Sequence, residues 1–441
     1  MPPSPTLKRA LGRWDLTAIG INQVIGVSIF LIPSQLVALI GNWSPIAFVL
    51  ASLASLAVAL CFAEVGSRFE GTGGPYLYTQ AAFGRFVAFE VGWMQWFTRA
   101  ASQASVANGI ALALAFYWPG IKAGPGRVLL ITGLTLVLAY INARGIIQGA
   151  WLVNSLTVAK LVPLLVFIGV GAFFADLGRL APLPELTLDG AAAAGLLLIF
   201  TYGGYDVIGV PAGEAKDPRR HLPFAFVATI LSVTVVMTIA QVIAMTTHAD
   251  LGSSATPLAD AALGFMGPAG AALIGVGSVV AMTGNNAGQV LTGSRMLYAL
   301  AENRALPRFF EYVHPRHRTP SKAIWFTSMV ALLLALSGSF VYLATVSAVA
   351  RLVTYTGVCA ATLRLRRKSF EGQVQPAIFT VPFGPLVPWF AILVSVALIA
   401  GATRQQLLGG AAALLAGVAL YRLSRKRGTR GASSPPPLSL A

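Results

Sequence analysis

Charge is scarce in this sequence. Only 10% of its 441 residues are Asp, Glu, Lys or Arg, against about 25% in a typical soluble domain. That scarcity excludes a water-soluble globular protein. Cysteine is nearly missing as well. Cys61 and Cys359 both fall in apolar runs, so there is no disulfide framework, zinc cluster or redox pair to read from spacing. The four histidines, His221, His248, His314 and His317, sit near loops. No histidine is deep in an apolar run, which argues against a catalytic constellation inside a membrane and so against an enzyme. His314 and His317 are three apart in a Pro-containing segment, a poor start for a metal pair. Gly71-Thr72-Gly73-Gly74-Pro75 lacks the Lys-Ser/Thr of a phosphate loop. Nothing calls for a cofactor.

What the chain has is apolar surface. Hydrophobic residues make up 56% and mean hydropathy is +0.74. Runs of ~20 apolar residues recur along the length, which indicates α-helical membrane spans rather than a barrel. Twelve spans are expected, at 14–40, 45–67, 85–117, 127–143, 151–174, 191–214, 223–246, 268–300, 322–337, 340–363, 385–402 and 406–423. The links are short, polar and rich in Gly or Pro. The longest, Thr247 to Gly267, has room for a short helix. The N-terminus shows no signal-peptide cleavage pattern, and the Ser/Pro-rich tail is expected to be disordered.

The net charge of +16 is not a nucleic-acid footprint, because the basic residues alternate by loop. With the N-terminus in the cytoplasm, 24 of the 31 Lys and Arg fall on the cytoplasmic side. Lys122, Arg127, Arg179 and Arg404 fall outside, and Arg99, Lys160 and Arg351 lie within spans. The positive-inside rule then places both termini in the cytoplasm, with the basic clusters facing anionic lipid. This is the pattern of a multi-pass protein of a cell (inner or plasma) membrane.

Two spans are interrupted near mid-membrane. Trp14 to Ile40 breaks at Gly26-Val27-Ser28, and Ala191 to Glu214 breaks at Tyr202-Gly203-Gly204. Each break lies 12 residues from its span start, about 18 Å deep at 1.5 Å per residue. Opening a helix at that depth frees peptide groups that cost several kcal/mol unless protein or a water-filled cavity takes them up. Five spans start at each broken helix. Five is odd, so the second set is inverted relative to the first, the plan of many secondary transporters.

The chemistry of the breaks suits a zwitterion. The outer half-helix beginning at Gly26 to Ser28 presents free amides and the positive end of a helix dipole to a carboxylate. The inner half, ending at Val24 and Ile25, presents free carbonyls to an ammonium. Carbonyls near Phe200 and Gly203, beside Gly204, add acceptors. Tyr202 and Tyr205 are placed to close over a ligand, and Asn285 of the Asn285-Asn286 pair to line the cavity or join helices. Lys160, about 14 Å into its span, must pair with carbonyls or give up its proton. Asp206 is the one acid well inside the core. It is read either as a relay or as an ion-pair partner of Arg99 or Arg351. Three core bases against one core acid disfavour a strongly cationic substrate.

Gly20-Ile21-Asn22-Gln23-Val24-Ile25-Gly26-Val27-Ser28-Ile29-Phe30-Leu31-Ile32-Pro33 resembles the first-span signature of the amino acid-polyamine-organocation (APC) permeases. Gly203-Gly204-Tyr205-Asp206 with Gly213-Glu214-Ala215-Lys216-Asp217-Pro218 resembles their sixth-span signature. Gly73-Gly74-Pro75-Tyr76-Leu77-Tyr78, Phe83-Gly84, and Ser294-Arg295-Met296-Leu297-Tyr298-Ala299-Leu300-Ala301 followed by Leu306-Pro307 are similar to further family motifs, in the same order. The resemblance covers roughly residues 14–370. It implies an all-α, leucine-transporter-type fold with alternating access. Two inverted five-helix repeats (14–175 and 190–370) are expected, then two extra spans (371–424), with cytoplasmic tails at 1–13 and 425–441. It implies that Val24, Val27, Ser28, Phe200 and Gly203 touch the substrate's α-groups. It also places Lys160 beside the first break, where sodium-coupled relatives hold sodium. The family commonly has Gly-Ser/Ala-Gly in that break, where this chain has Gly26-Val27-Ser28.

The expected activity is secondary active transport of an amino acid, by proton coupling (symport or antiport) or exchange, with Lys160 and Asp206 as coupling groups. The alternatives are a polyamine or organocation permease on the same fold, a channel and a nutrient sensor. The expected partners are the substrate, protons and membrane lipids; oligomeric state is left open.

Overall fold

The computed structural model describes residues 9, 11–71, 73–115, 118–144, 146–317 and 319–428, with backbone alone at 146–154, Glu214 and 425–428. The tail expected at 425–441, beyond the backbone of 425–428, and most of the tail at 1–13 lie outside the described residues.

Fourteen helices follow in order among the described residues: α1 (Arg13–Val24), α2 (Ser28–Ile40), α3 (Ser44–Gly66), α4 (Pro75–Phe83), α5 (Arg85–Ala115), α6 (Gly124–Arg144), α7 (Ile146–Gly171), α8 (Leu188–Tyr202), α9 (Pro218–Thr247), α10 (Pro257–Glu302), α11 (Ser321–Ser337), α12 (Phe340–Leu365), α13 (Leu386–Ala400) and α14 (Arg404–Gly428). No β-strand occurs among the described residues, only two isolated bridges. Among the described residues, seven helical stretches are long and apolar enough to cross a bilayer: Ser28–Gly66, Gly124–Arg144, Leu188–Gly209, Pro218–Thr247, Pro257–Glu302, Phe340–Leu365 and Arg404–Ser424. Ser155–Gly171, Ser321–Ser337 and Leu386–Ala400 are shorter apolar helices. The protein is an all-helical, multi-pass membrane protein.

Local sequence sets the helix ends. Asp217 caps α9 by accepting from the Arg220 amide, with Pro218 at the first turn. Thr187 caps α8 through the Gly190 amide, and Ser339 caps α12 through that of Tyr342. The expected short helix in the Thr247–Gly267 link is the first part of α10, set off by a kink at Gly267 (φ +67°) just before Pro268. Helix α4 was not anticipated, although Gly74 (φ +49°) followed by Pro75 is a start signal.

The burial pattern is that of a lipid-facing bundle. Leu50, Leu53, Leu129, Leu165, Leu333, Leu393 and Leu415 point outward. Arg99, Lys160, Asp206, Asn286 and Arg351 are buried within. Bilayer lipid offers no hydrogen bonds, so polar groups turn inward. Helix α5 has 31 residues and is buried along most of its length, packed against α10, α11 and α12. Helices α1, α2, α3, α8 and α9 pack on one another as a second group. Cys61 and Cys359 are buried free thiols.

Candidate functional site

Both interrupted segments are broken in the structure, and the breaks face each other. Helix α1 stops at Val24, residues 25–27 are non-helical, and α2 starts at Ser28. Helix α8 stops at Tyr202, and Gly203 is extended (φ −70°, ψ 143°). Gly204 takes φ +133°, a conformation that favours glycine. Its α-carbon lies so close to α1 that a β-carbon there would sit 2.6 Å from the Gln23 carbonyl oxygen. The continuation past the second break is not an α-helix but two tight 3-10 turns, Tyr205–Gly209 and Ala212–Glu214. Ser28 Oγ donates to the Thr201 carbonyl at 3.4 Å, joining the two breaks directly.

The two breaks line one enclosed cavity. Of the residues expected to bind substrate, Val24, Gly26, Val27, Ser28, Phe200, Gly203 and Asn285 line it. Gln23, Ser102, Val106, Gln289 and Arg351 complete the wall and were not anticipated there. Its interior is about 10 Å³, counted at the centres of a water-sized sphere, about room for one water. The cavity is therefore occluded, and any larger guest must displace a wall residue.

The carbonyls expected to be free at the end of α1 are not free. Lys160 Nζ donates to Asn22 O and to Ile25 O, each at 2.7 Å, and also to Asn22 Oδ1. Asn285 Nδ2 donates to Gln23 O at 2.8 Å, and Gly26 N to Val24 O at 2.9 Å. The physical reason is the one that made the break costly: at this depth the protein supplies its own donors. Ile25 accordingly acts through its carbonyl and does not line the cavity. The opposite face keeps its open donors. The amides of Val27, Ser28 and Ile29, at the start of α2, have no acceptor among the described residues.

The second break is held by a buried charge network. Asp206 Oδ2 accepts from Arg99 Nη2 and, at 3.3 Å, from Gln95 Nε2. Asp206 Oδ1 accepts from the Gly204 amide at 3.2 Å and the Tyr355 hydroxyl at 3.5 Å, and Arg351 Nε lies 4.0 Å away. Arg99 Nη1 donates to Gln289 Oε1 at 3.2 Å, and Gln289 Nε2 to Asn285 Oδ1 at 3.4 Å. Asn285 then reaches the α1 backbone that Lys160 holds. Lys160 and Asp206 are thus the two ends of one polar chain. Asn285 both lines the cavity and joins helices, whereas Asn286 makes no side-chain hydrogen bond among the described residues.

Two expected residues point elsewhere. Tyr202 is fully buried against α3: its hydroxyl donates to Phe48 O at 3.0 Å and its ring meets Phe48 edge-on. It lies two residues, about 200° of helical turn, from Phe200, so the two rings cannot share a face. Tyr205 stacks on Tyr355 and packs beside Phe62 and Phe226, away from the cavity. Gly204 stands behind the wall, shaped by its contact with α1. Outside the site, Glu64 is held by Arg366 (2.7 Å) and Arg68 and does not reach the core bases.

The amino acid permease family model matches residues 11–405. A branched-chain amino acid permease of Bacillus subtilis, BcaP, is 29% identical over 96% of this chain and 94% of its own. A methylthioribose transporter of the same organism is 29% identical over 87% of this chain and 86% of its own. Its serine/threonine exchanger SteT is 29% identical over 88% and 89%.

Proposed function

Because the chain belongs to the amino acid permease family, we propose that it is a secondary active transporter of an amino acid, working by alternating access around the cavity between the two helix breaks. It is not an enzyme. The carrying observation is that two independent mid-membrane breaks open onto one occluded cavity whose unpaired amides await an acceptor.

The architecture read here is the leucine-transporter type. Broken helix α1–α2 with α3, α5, α6 and α7 forms one repeat, and broken α8 with α9, α10, α11 and α12 forms its inverted counterpart. Helices α13 and α14 are additional, and both termini face the cytoplasm. The packing of α1, α2, α3, α8 and α9 on one another supports a bundle that rocks as a unit against the rest. The substrate carboxylate meets the Val27 to Ile29 amides at the positive end of α2, and Phe200 covers it.

Lys160 couples the cycle to protons. Its ammonium donates three hydrogen bonds that hold the end of α1. A neutral amine has only two N–H donors. Loss of the proton therefore releases at least one bond at the hinge of the moving bundle. Asp206 takes part through the polar chain that ends on α1.

Counterflow tests the proposal. Proteoliposomes preloaded with unlabelled amino acid should show a transient overshoot of the labelled substrate. Flux linear in concentration without counterflow would instead indicate a channel, and saturable binding without flux a sensor.

A further inference from the structure

We infer that the substrate is an amino acid of net negative charge, one with a second carboxylate, and that Arg351 is the residue that selects it. This deepens the transport reading and rests on it.

Most carbonyls that a substrate ammonium could use at the two breaks are held by the protein's own donors. At the first break, Asn22, Gln23, Val24 and Ile25 carbonyls are all engaged. At the second, Arg351 Nη1 lies on the carbonyls of Ile199 (3.5 Å) and Phe200 (3.3 Å), and Ser28 takes that of Thr201. A guanidinium thus stands where an ammonium would otherwise dock. Three acceptors in the cavity wall have no donor among the described residues, Gln23 Oε1 and the carbonyls of Gly26 and Gly203. Together they can take a single ammonium.

Strong donors stand open on the other side. The Val27, Ser28 and Ile29 amides have no acceptor among the described residues. Arg351 is 2% exposed, yet Nε has no hydrogen-bond partner and every bond it makes is 3.3 Å or longer. Those lengths lie beyond the usual N–H···O range. A buried guanidinium this loosely held is poised for a better acceptor, and a carboxylate accepts two parallel bonds from it.

The charge balance points the same way. Arg99 forms a close pair with Asp206 and Arg351 lies 4.0 Å from the same carboxylate, so Lys160, Arg99 and Arg351 share one acid and these core groups are left with an excess of positive charge. A zwitterion adds no net charge to that balance, a cation worsens it, and an anion relieves it. Arg351 also owes its place to the sequence: a β-carbon at position 203 would overlap its guanidinium, so Gly203 is what admits it to the cavity wall. In this arrangement the α-carboxylate meets the α2 amides, the side-chain carboxylate meets Arg351, and the ammonium meets Gln23 Oε1.

The experiment is counterflow in proteoliposomes holding the full-length protein, preloaded with a mixture of the twenty amino acids. Labelled glutamate, aspartate, leucine, serine and lysine are added separately. Glutamate or aspartate should exchange at least about tenfold faster than the other three, the scale of a charge-paired contact. Arg351→Gln should lose that preference and Arg351→Lys should keep part of it. Leucine, serine or lysine exchanging as fast as the acidic pair in the unaltered protein would overturn the inference while leaving transport intact. That comparison needs no variant and holds even if Arg351→Gln fails to fold. Exchange of none of the five would overturn the transport reading itself.

Discussion

Replacing Lys160 with alanine isolates the proposed coupling step. The ammonium is fully buried and donates to Asn22 O and Ile25 O at 2.7 Å, and to Asn22 Oδ1. Without it, Ile25 O and Asn22 Oδ1 have no donor among the described residues, and Asn22 O keeps only the Asn285 amide at 3.5 Å. An orphaned buried acceptor costs about 1–3 kcal/mol, so the two together cost about 2–6 kcal/mol. Part of that is returned because a buried charge has also been removed. The fold should survive, with the end of α1 loosened. The functional consequence is larger. One proton moved per substrate across a gradient of one pH unit carries about 1.4 kcal/mol, enough for roughly tenfold accumulation. Lys160→Ala should reduce that ratio to about one, while counterflow, which needs no driving force, persists. The assay is uptake into proteoliposomes with and without an imposed pH gradient. Accumulation by the variant that still follows the gradient would refute Lys160 as the coupling group.

Two further outcomes are expected. Phe200→Ala removes a ring that lines the cavity and meets Phe340 edge-on, so the apparent KM in uptake kinetics should rise by about tenfold, the scale of a lost aromatic contact; unchanged kinetics would take Phe200 out of the site. Arg99→Ala strands Asp206 with Arg351 4.0 Å away as its remaining cation, and should cost about 3–5 kcal/mol. A thermal-melt comparison reads this, and adding Asp206→Asn to the same chain should recover part of the loss.

The breaks were legible because two things coincide in the sequence. Glycine stands at 26, 203 and 204, and each lies mid-way along an apolar run where a straight helix would otherwise be unremarkable. Lys160 was legible because an ammonium at that depth demands partners. Other features needed three dimensions. The capture of the α1 carbonyls by Lys160 and Asn285 depends on how α7 and α10 pack on α1, and Arg351 reaches the cavity only because α12 packs on α8 opposite Gly203. Some signals were present and unused. Gln289 follows Asn285 by four residues, and Ser102 and Val106 follow Arg99 by three and seven, so each pair shares a helix face. The same periodicity sets Tyr202 opposite Phe200, which explains why one ring meets α3 and the other the cavity.

The most direct measurement is equilibrium binding to the Gly26→Leu variant. At this position even a β-carbon would come within 2.5 Å of the Asn285 amide nitrogen, and a leucine side chain would fill the space between the two breaks. The unaltered protein should bind labelled amino acid saturably, and Gly26→Leu, shown to be folded by its thermal melt, should bind none. Undiminished affinity in the variant would put the ligand elsewhere and contradict a substrate site at the paired breaks.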